Sequence, residues 1–171
     1  SSPSAIERVE LLYTLAASQT EQLVLPKFTP GRSVDLTATA PLGADYVPAG
    51  IDITYRWRIE DSSGAVMETK PQTVLWVDSR FDWNSVSSDY VTIYSYKASS
   101  SFQTYMLNVA NAYAAKEMKL YGLTKIIPIK IWIYNSKSDF QGTFAPNSQE
   151  WAAGSALPAF QLVQEYIVNG D

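Results

Sequence analysis

The chain has 171 residues, room for one ordinary domain or two small ones, and its 46% hydrophobic content is enough for a real core. The net charge is -4, the thirteen lysines and arginines are scattered, and no apolar run approaches a membrane span, which disfavours nucleic-acid binding and a transmembrane segment. There is no cysteine and no histidine, which removes disulfides, thiolate chemistry, any Ser-His-Asp triad and the usual zinc ligand.

The opening SSPSAIERVE lacks the basic and apolar regions of a signal peptide. Polar residues between apolar ones predict a strand over residues 6–11. Residues 21–28 (EQLVLPKF) predict a second strand, at an edge or bulge because Pro26 has no N–H to donate. After a turn at Thr29-Pro30-Gly31, residues 33–40 alternate Val34, Leu36 and Ala38 with Asp35, Thr37 and Thr39, the period of a half-buried strand. Residues 41–50 read as a loop. Residues 51–60 put Ile51, Ile53, Tyr55, Trp57 and Ile59 on one face, and Asp61-Ser62-Ser63-Gly64 turns the chain into a return strand over 65–69. A further strand is predicted over 72–77. Short strands with turns between them point to a small antiparallel sandwich, Ig-like only in architecture because the Cys-Trp-Cys pattern of antibody domains is missing.

Character changes across residues 78–89 (DSRFDWNSVSSD), a polar, turn-prone boundary with Phe81 and Trp83 in it. Beyond it, residues 90–96 predict a strand. Ser99 to Ser101 offer a cap for a helix that runs to about Tyr121, with Phe102, Met106, Val109, Tyr113 and Leu120 at helical spacing and Gly122 where a C-terminal cap belongs. Residues 129–134 (IKIWIY) predict a strand, short helices or turns are expected near Ser138-Asp139-Phe140 and over 147–153, and residues 158–168 predict one last strand. This β-α-β-α-β order is that of an α/β unit.

Few residues invite chemistry. Asp78, Asp82, Asn84 and Asp89 do not have the spacing of a calcium loop and read as caps and turn formers. Glu60 and Asp61 lie at a hairpin turn, and Glu150 has no acidic neighbour close in sequence. No phosphate-binding glycine loop occurs. Of the tryptophans, Trp57, Trp76 and Trp132 fall on predicted strands and are expected in the core; Trp83 and Trp151 fall in loops or at helix starts and are the candidates for partner contact.

Two stretches carry a resemblance, ITYRWRIEDSSGAVMETKPQTVLWVDSRFDWNSVSSDYVTIYSY and IKIWIYNSKSDFQGTFAPNSQEWAAGSALPAF. Arg80-Phe81-Asp82-Trp83, Ser87-Ser88-Asp89 and Val91, then Ser136, Asp139, Phe140, Gln141 and Gly142, then Trp151 and Ala153-Gly154-Ser155-Ala156 follow one another in the order seen in bacterial peptidase MA-like proteins. From Ile51 to Asp171 the chain resembles the N-terminal part of that family, gluzincin-type zinc metallopeptidases that are often exported. The resemblance implies a β-sandwich ahead of a zincin subdomain. It also implies an HExxH helix and a downstream glutamate after the last strand seen here. The two histidines would hold zinc and the motif's glutamate would act as general base.

None of those catalytic residues is in this sequence, so the chain by itself is expected to be inactive and without a cofactor, with zinc belonging to a longer parent. The resemblance further implies that Gly154, Ser155 and Ala156 begin the sheet edge on which a peptide or protein substrate pairs by strand addition. The expected fold class is thus α+β in two domains: an antiparallel Ig-like β-sandwich over residues 1–78, a linker over 79–88, and an incomplete α/β zincin-like subdomain over 89–171. An extracellular or cell-envelope location is expected, with a homodimer formed through the incomplete second domain. The alternative is a stand-alone extracellular binding module without catalysis.

Overall fold

The computed structural model describes residues 2–16, 18, 20–40, 47–144 and 153–167. The fold is mixed α+β, with its strands in two five-stranded sheets and few helices among the described residues. The chain divides into two compact units, Ser1–Val47 with Ile51–Trp76, and Pro48–Gly50 with Val77–Asp171.

In the first unit, β1 (Ile6–Leu15) lies between β2 (Gln22–Val24) and β3 (Asp52–Asp61), all antiparallel, and β3 also pairs with β4 (Val66–Glu68) and β5 (Gln72–Leu75). The register sets Leu11 opposite Trp57 and Tyr13 opposite Tyr55, so the apolar alternation of both strands falls on one face. The other face carries charge. Glu10 is buried there between Arg8 and Arg58, and Arg56 pairs with Glu21 and Glu68. Burial pushes the Glu10 carboxyl up, but hydrogen bonds from both arginines outweigh it and hold the group below the usual carboxylate range. At the β3–β4 turn, Asp61 accepts from Ser2 Oγ at 2.6 Å and from Ser63 N and Ala65 N at 3.0 and 3.2 Å. The hydroxyls of Ser2 and Ser63 lead in lowering its pKa to about 2.

Two expected strands differ from what forms. The second is only three residues long, because β2 stops at Val24, just ahead of Pro26 and its missing donor. Residues 33–40 form no strand. Their alternation survives as burial, with Val34, Leu36, Ala38 and Ala40 half-buried and Asp35, Thr37 and Thr39 exposed. Period two tells the two faces of a segment apart; it does not supply a neighbour to complete a ladder.

The second unit's sheet has the order β6-β7-β8-β10-β9. Its strands are β6 (Asn84–Ser87), β7 (Val91–Ser95), β8 (Ile129–Tyr134), β9 (Gly154–Leu157) and β10 (Leu162–Tyr166). β7, β8 and β10 are parallel, while β6 and β9 are antiparallel edges. β6 falls inside residues 79–88, where the sequence reads as a linker. The expected final strand over 158–168 is β10, preceded by a 3-10 turn at Pro158–Phe160 and by β9.

The crossover between β7 and β8 is α1 (Ser100–Tyr121). Ser99 Oγ accepts from Phe102 N at 3.2 Å, and Gly122 ends the helix in the left-handed conformation at φ 63°. Phe102, Met106, Leu107 and Ala110 of α1 pack on Val91, Ile93 and Ile133, which are almost wholly buried. The inner face of the helix differs from the expected stripe at two positions: Tyr113 and Leu120 are 62% and 66% exposed. Inside, the amide of Gln103 donates to Ser95 Oγ at 2.8 Å, a polar group satisfied within the packing.

Candidate functional site: the open edge of the second sheet

The candidate site is built from the support outward. On the sheet face away from α1, Trp132 and Tyr134 of β8 are fully buried. Trp132 stacks on Tyr94 at 4.2 Å, and Trp83 meets Trp132 edge-on at 4.6 Å and Tyr134 at 5.1 Å. Phe81 stacks on Tyr96 at 4.1 Å. Trp83 also donates Nε1–H to the Asp78 carbonyl at 2.9 Å. The half-buried Trp83 is therefore a packing residue of this cluster, whatever else it touches. Gly50, with φ 102°, lies against Trp132 and Leu162, where an added Cβ would come within 2.8 Å of Leu162 Cδ1. Next to it, Gln164 Nε2 donates to Ala49 O at 2.9 Å.

A polar clasp joins this cluster to α2 (Lys137–Gln141). Arg80 donates to the Asp78 carboxylate and to Asp139 O, Tyr96 donates to Asp139 Oδ2 at 2.7 Å, and Tyr134 donates to Asp78 Oδ2 at 3.3 Å. Burial raises the Asp78 pKa, and the Arg80 hydrogen bonds more than reverse that. Hydrogen bonds from Tyr96 and Ser136 lower Asp139. Burial, with the bond to Asp139 second, pushes Tyr96 up to about 12. Asp78 is thus an ion-pair partner of Arg80, and Asp61 is a turn acceptor, as an acidic residue at a hairpin turn is expected to be.

These supports hold β8 and β10 in place, and β10 carries β9 at the edge. Tyr166 N donates to Ala153 O at 3.2 Å, and the register pairs Gln164 with Ser155 and Leu162 with Leu157. Antiparallel ladders alternate, so the backbone groups of Ser155 and Leu157 turn toward β10. Those of Gly154 and Ala156 turn outward. Both residues are exposed, and both have minimal side chains. Across the ladder from Gly154 lies Glu165, whose carboxyl burial pushes up. The tight link between β9 and β10 is set by Gln161 at φ 50°, whose Nε2 donates to Pro158 O at 3.1 Å.

On the face shared with α1, cover is incomplete. Beside the second half of the helix runs a groove of about 380 Å³, lined by Val91, Ala114, Met118, Ile129, Ile131 and Val163. Ile129 is 37% exposed at its mouth. The first unit has a groove of its own, about 450 Å³, on its aromatic face between Tyr13, Tyr55, Trp57, Val74 and Trp76 and residues 38–40. Trp76, expected in the core, is 42% exposed there, although its backbone N still donates to Ile51 O at 2.8 Å and so continues the pairing with β3.

Of the residues singled out in the sequence, Gly154, Ser155 and Ala156 fall together on the edge strand, and Trp83 falls in the aromatic cluster. Trp151 lies outside the described residues. The Asp78–Arg80–Asp139–Tyr96 clasp escaped sequence reading, since its members are up to 61 positions apart, from 78 to 139, and only the fold brings them together. Zinc does not fit the residues present: the chain has no histidine or cysteine, and no group of three acidic side chains comes together among the described residues. No family model, curated protein or solved structure matches this chain. Among the described residues, no helix is long and apolar enough to cross a membrane.

Proposed function

We propose that this chain supplies the substrate-pairing sheet of an exported, gluzincin-type zinc peptidase and does not itself catalyse. One observation carries the reading: β9 is the last strand of its sheet among the described residues, and its outward backbone groups belong to Gly154 and Ala156. A peptide in extended form can add there as a further strand, and minimal side chains let its backbone approach. The incompletely covered face beside α1 supports the same reading, because a catalytic helix would need an apolar bed. Until that bed is filled, it favours pairing of two copies through the second unit. In the first unit, residues 33–40 would form the second layer of an Ig-like sandwich, supported by their alternating burial.

The deciding experiment is to read the coding sequence past Asp171 and assay the encoded protein. An HExxH motif soon after that point, with chelator-sensitive cleavage of casein, is the expected result. A stop codon or a continuation without the motif overturns it. A sedimentation run showing only monomer at high concentration would remove the homodimer while leaving the edge reading in place.

The aromatic groove of the first unit favours a second reading, a non-catalytic extracellular module binding a protein or small ligand. A parent without HExxH, together with ligand-induced quenching of tryptophan emission that Trp76→Ala abolishes, would establish it.

A further inference from the structure

We propose that the end of α1 and the loop after it form a docking tip for an anionic membrane surface. Leu120, Tyr121, Leu123 and Ile127 are 66%, 69%, 48% and 67% exposed, a run of large apolar side chains that nothing among the described residues covers. Gly122 in its left-handed cap conformation turns the chain here, and Leu123 N closes on Met118 O at 2.8 Å, so helix end and loop form one firm corner.

Charge identifies the partner. From Lys116 to Lys125 the sequence holds three lysines and a single carboxylate, Glu117, although the whole chain is at -4. Lys116, Lys119 and Lys125 are exposed around the apolar corner. Lysine is depleted from protein–protein interfaces but suits a membrane surface, where its aliphatic stem covers apolar area and its ammonium reaches a phosphate. Tyr121 fits the same zone, with a ring for the acyl boundary and a hydroxyl for the headgroups. The tip would hold the protein at the surface of a bilayer without spanning it. This inference stands on its own and does not depend on the peptidase reading.

The test is co-sedimentation of the chain with vesicles of phosphatidylcholine and phosphatidylglycerol, against vesicles of phosphatidylcholine alone. Binding to the anionic vesicles that weakens with added salt is expected. Lys119→Gln and Lys125→Gln should each lower the partition coefficient about fivefold. Ile127→Asp should lower it about tenfold or more. All three sites are exposed, and unchanged circular dichroism of each variant checks that the fold is kept. Failure to partition onto anionic vesicles overturns the proposal, as does partition indifferent to all three substitutions. Self-association abolished by Ile127→Asp, without vesicle binding, would instead assign the tip to a second copy of the chain.

Discussion

The two sheets of this protein solve the same problem differently. The second unit covers the centre of its sheet with its own chain on both faces, leaving a groove only beside the second half of α1: α1 lies over β7, and the aromatic cluster of Phe81, Trp83 and Tyr96 lies over β8. Ile93, Ile133, Trp132 and Tyr134 are accordingly 0 to 1% exposed. Among its described residues the first unit has no helix; it holds one face with cross-strand ion pairs and leaves its aromatic face partly open, with Val74 and Trp76 at 46% and 42% exposure. A parallel core needs a crossover, and the crossover is itself a cover. An antiparallel sheet can be joined by turns and loops without a helical crossover, and so must find cover elsewhere.

A matched pair of tryptophan substitutions tests that contrast most sharply. Trp132→Ala should cost about 3–5 kcal/mol, since it empties a buried site between Tyr94 and Trp83. Trp76→Ala should cost under about 1 kcal/mol, because the ring is already partly in water. Urea midpoints of the two variants give the answer, and equal losses would mean that the first unit's groove is covered in solution. Next in size, Gly50→Ala should cost about 3 kcal/mol, as a Cβ there meets both φ 102° and the Trp132 ring. A stable Gly50→Ala variant would show that the packing behind β8 is loose.

Ser99→Ala should remove about 1 kcal/mol with the α1 cap, read from the same unfolding curves. The smallest effects concern pH, and the two clearest run in opposite directions. Asp61 has a folded pKa of about 2, below its ordinary 3.8, so its stabilisation is full above pH 3.8 and fades as pH falls toward 2. Asp61→Asn should flatten that acid limb. Tyr96 runs the other way: with a folded value of about 12 against 10, its contribution is full below pH 10 and is lost as pH rises toward 12. Tyr96→Phe should lower stability at neutral pH and flatten the alkaline limb. Urea midpoints across pH for each variant against the parent check both, and a Tyr96→Phe curve parallel to the parent's above pH 10 would take the clasp out of the account.

Much of the local architecture was legible in order along the chain. The β3–β4 hairpin, the capped helix from Ser100 to Tyr121 and the strand Ile129–Tyr134 all announce themselves by patterns within a few residues, and the structure contains all three. Edge placement was legible less directly. Nothing within residues 154–157 marks a strand; their place at the edge follows from the register with β10. Trp83 reads as a candidate for partner contact because it falls in a turn-prone stretch between predicted strands. Its packing partners, Trp132 and Tyr134, come from a strand about fifty residues away and so leave no local trace.

By itself, then, the sequence determined what short-range physics can write. It set the positions of turns, the faces of strands and the ends of the long helix, and through its lack of histidine and cysteine it ruled out whole classes of chemistry. Tertiary structure alone decided which strand stands at the edge of the second sheet and which aromatics are buried. Those outcomes depend on pairing and packing between distant segments, where the free energy of an alternation or a charge is fixed only once its neighbour is in place.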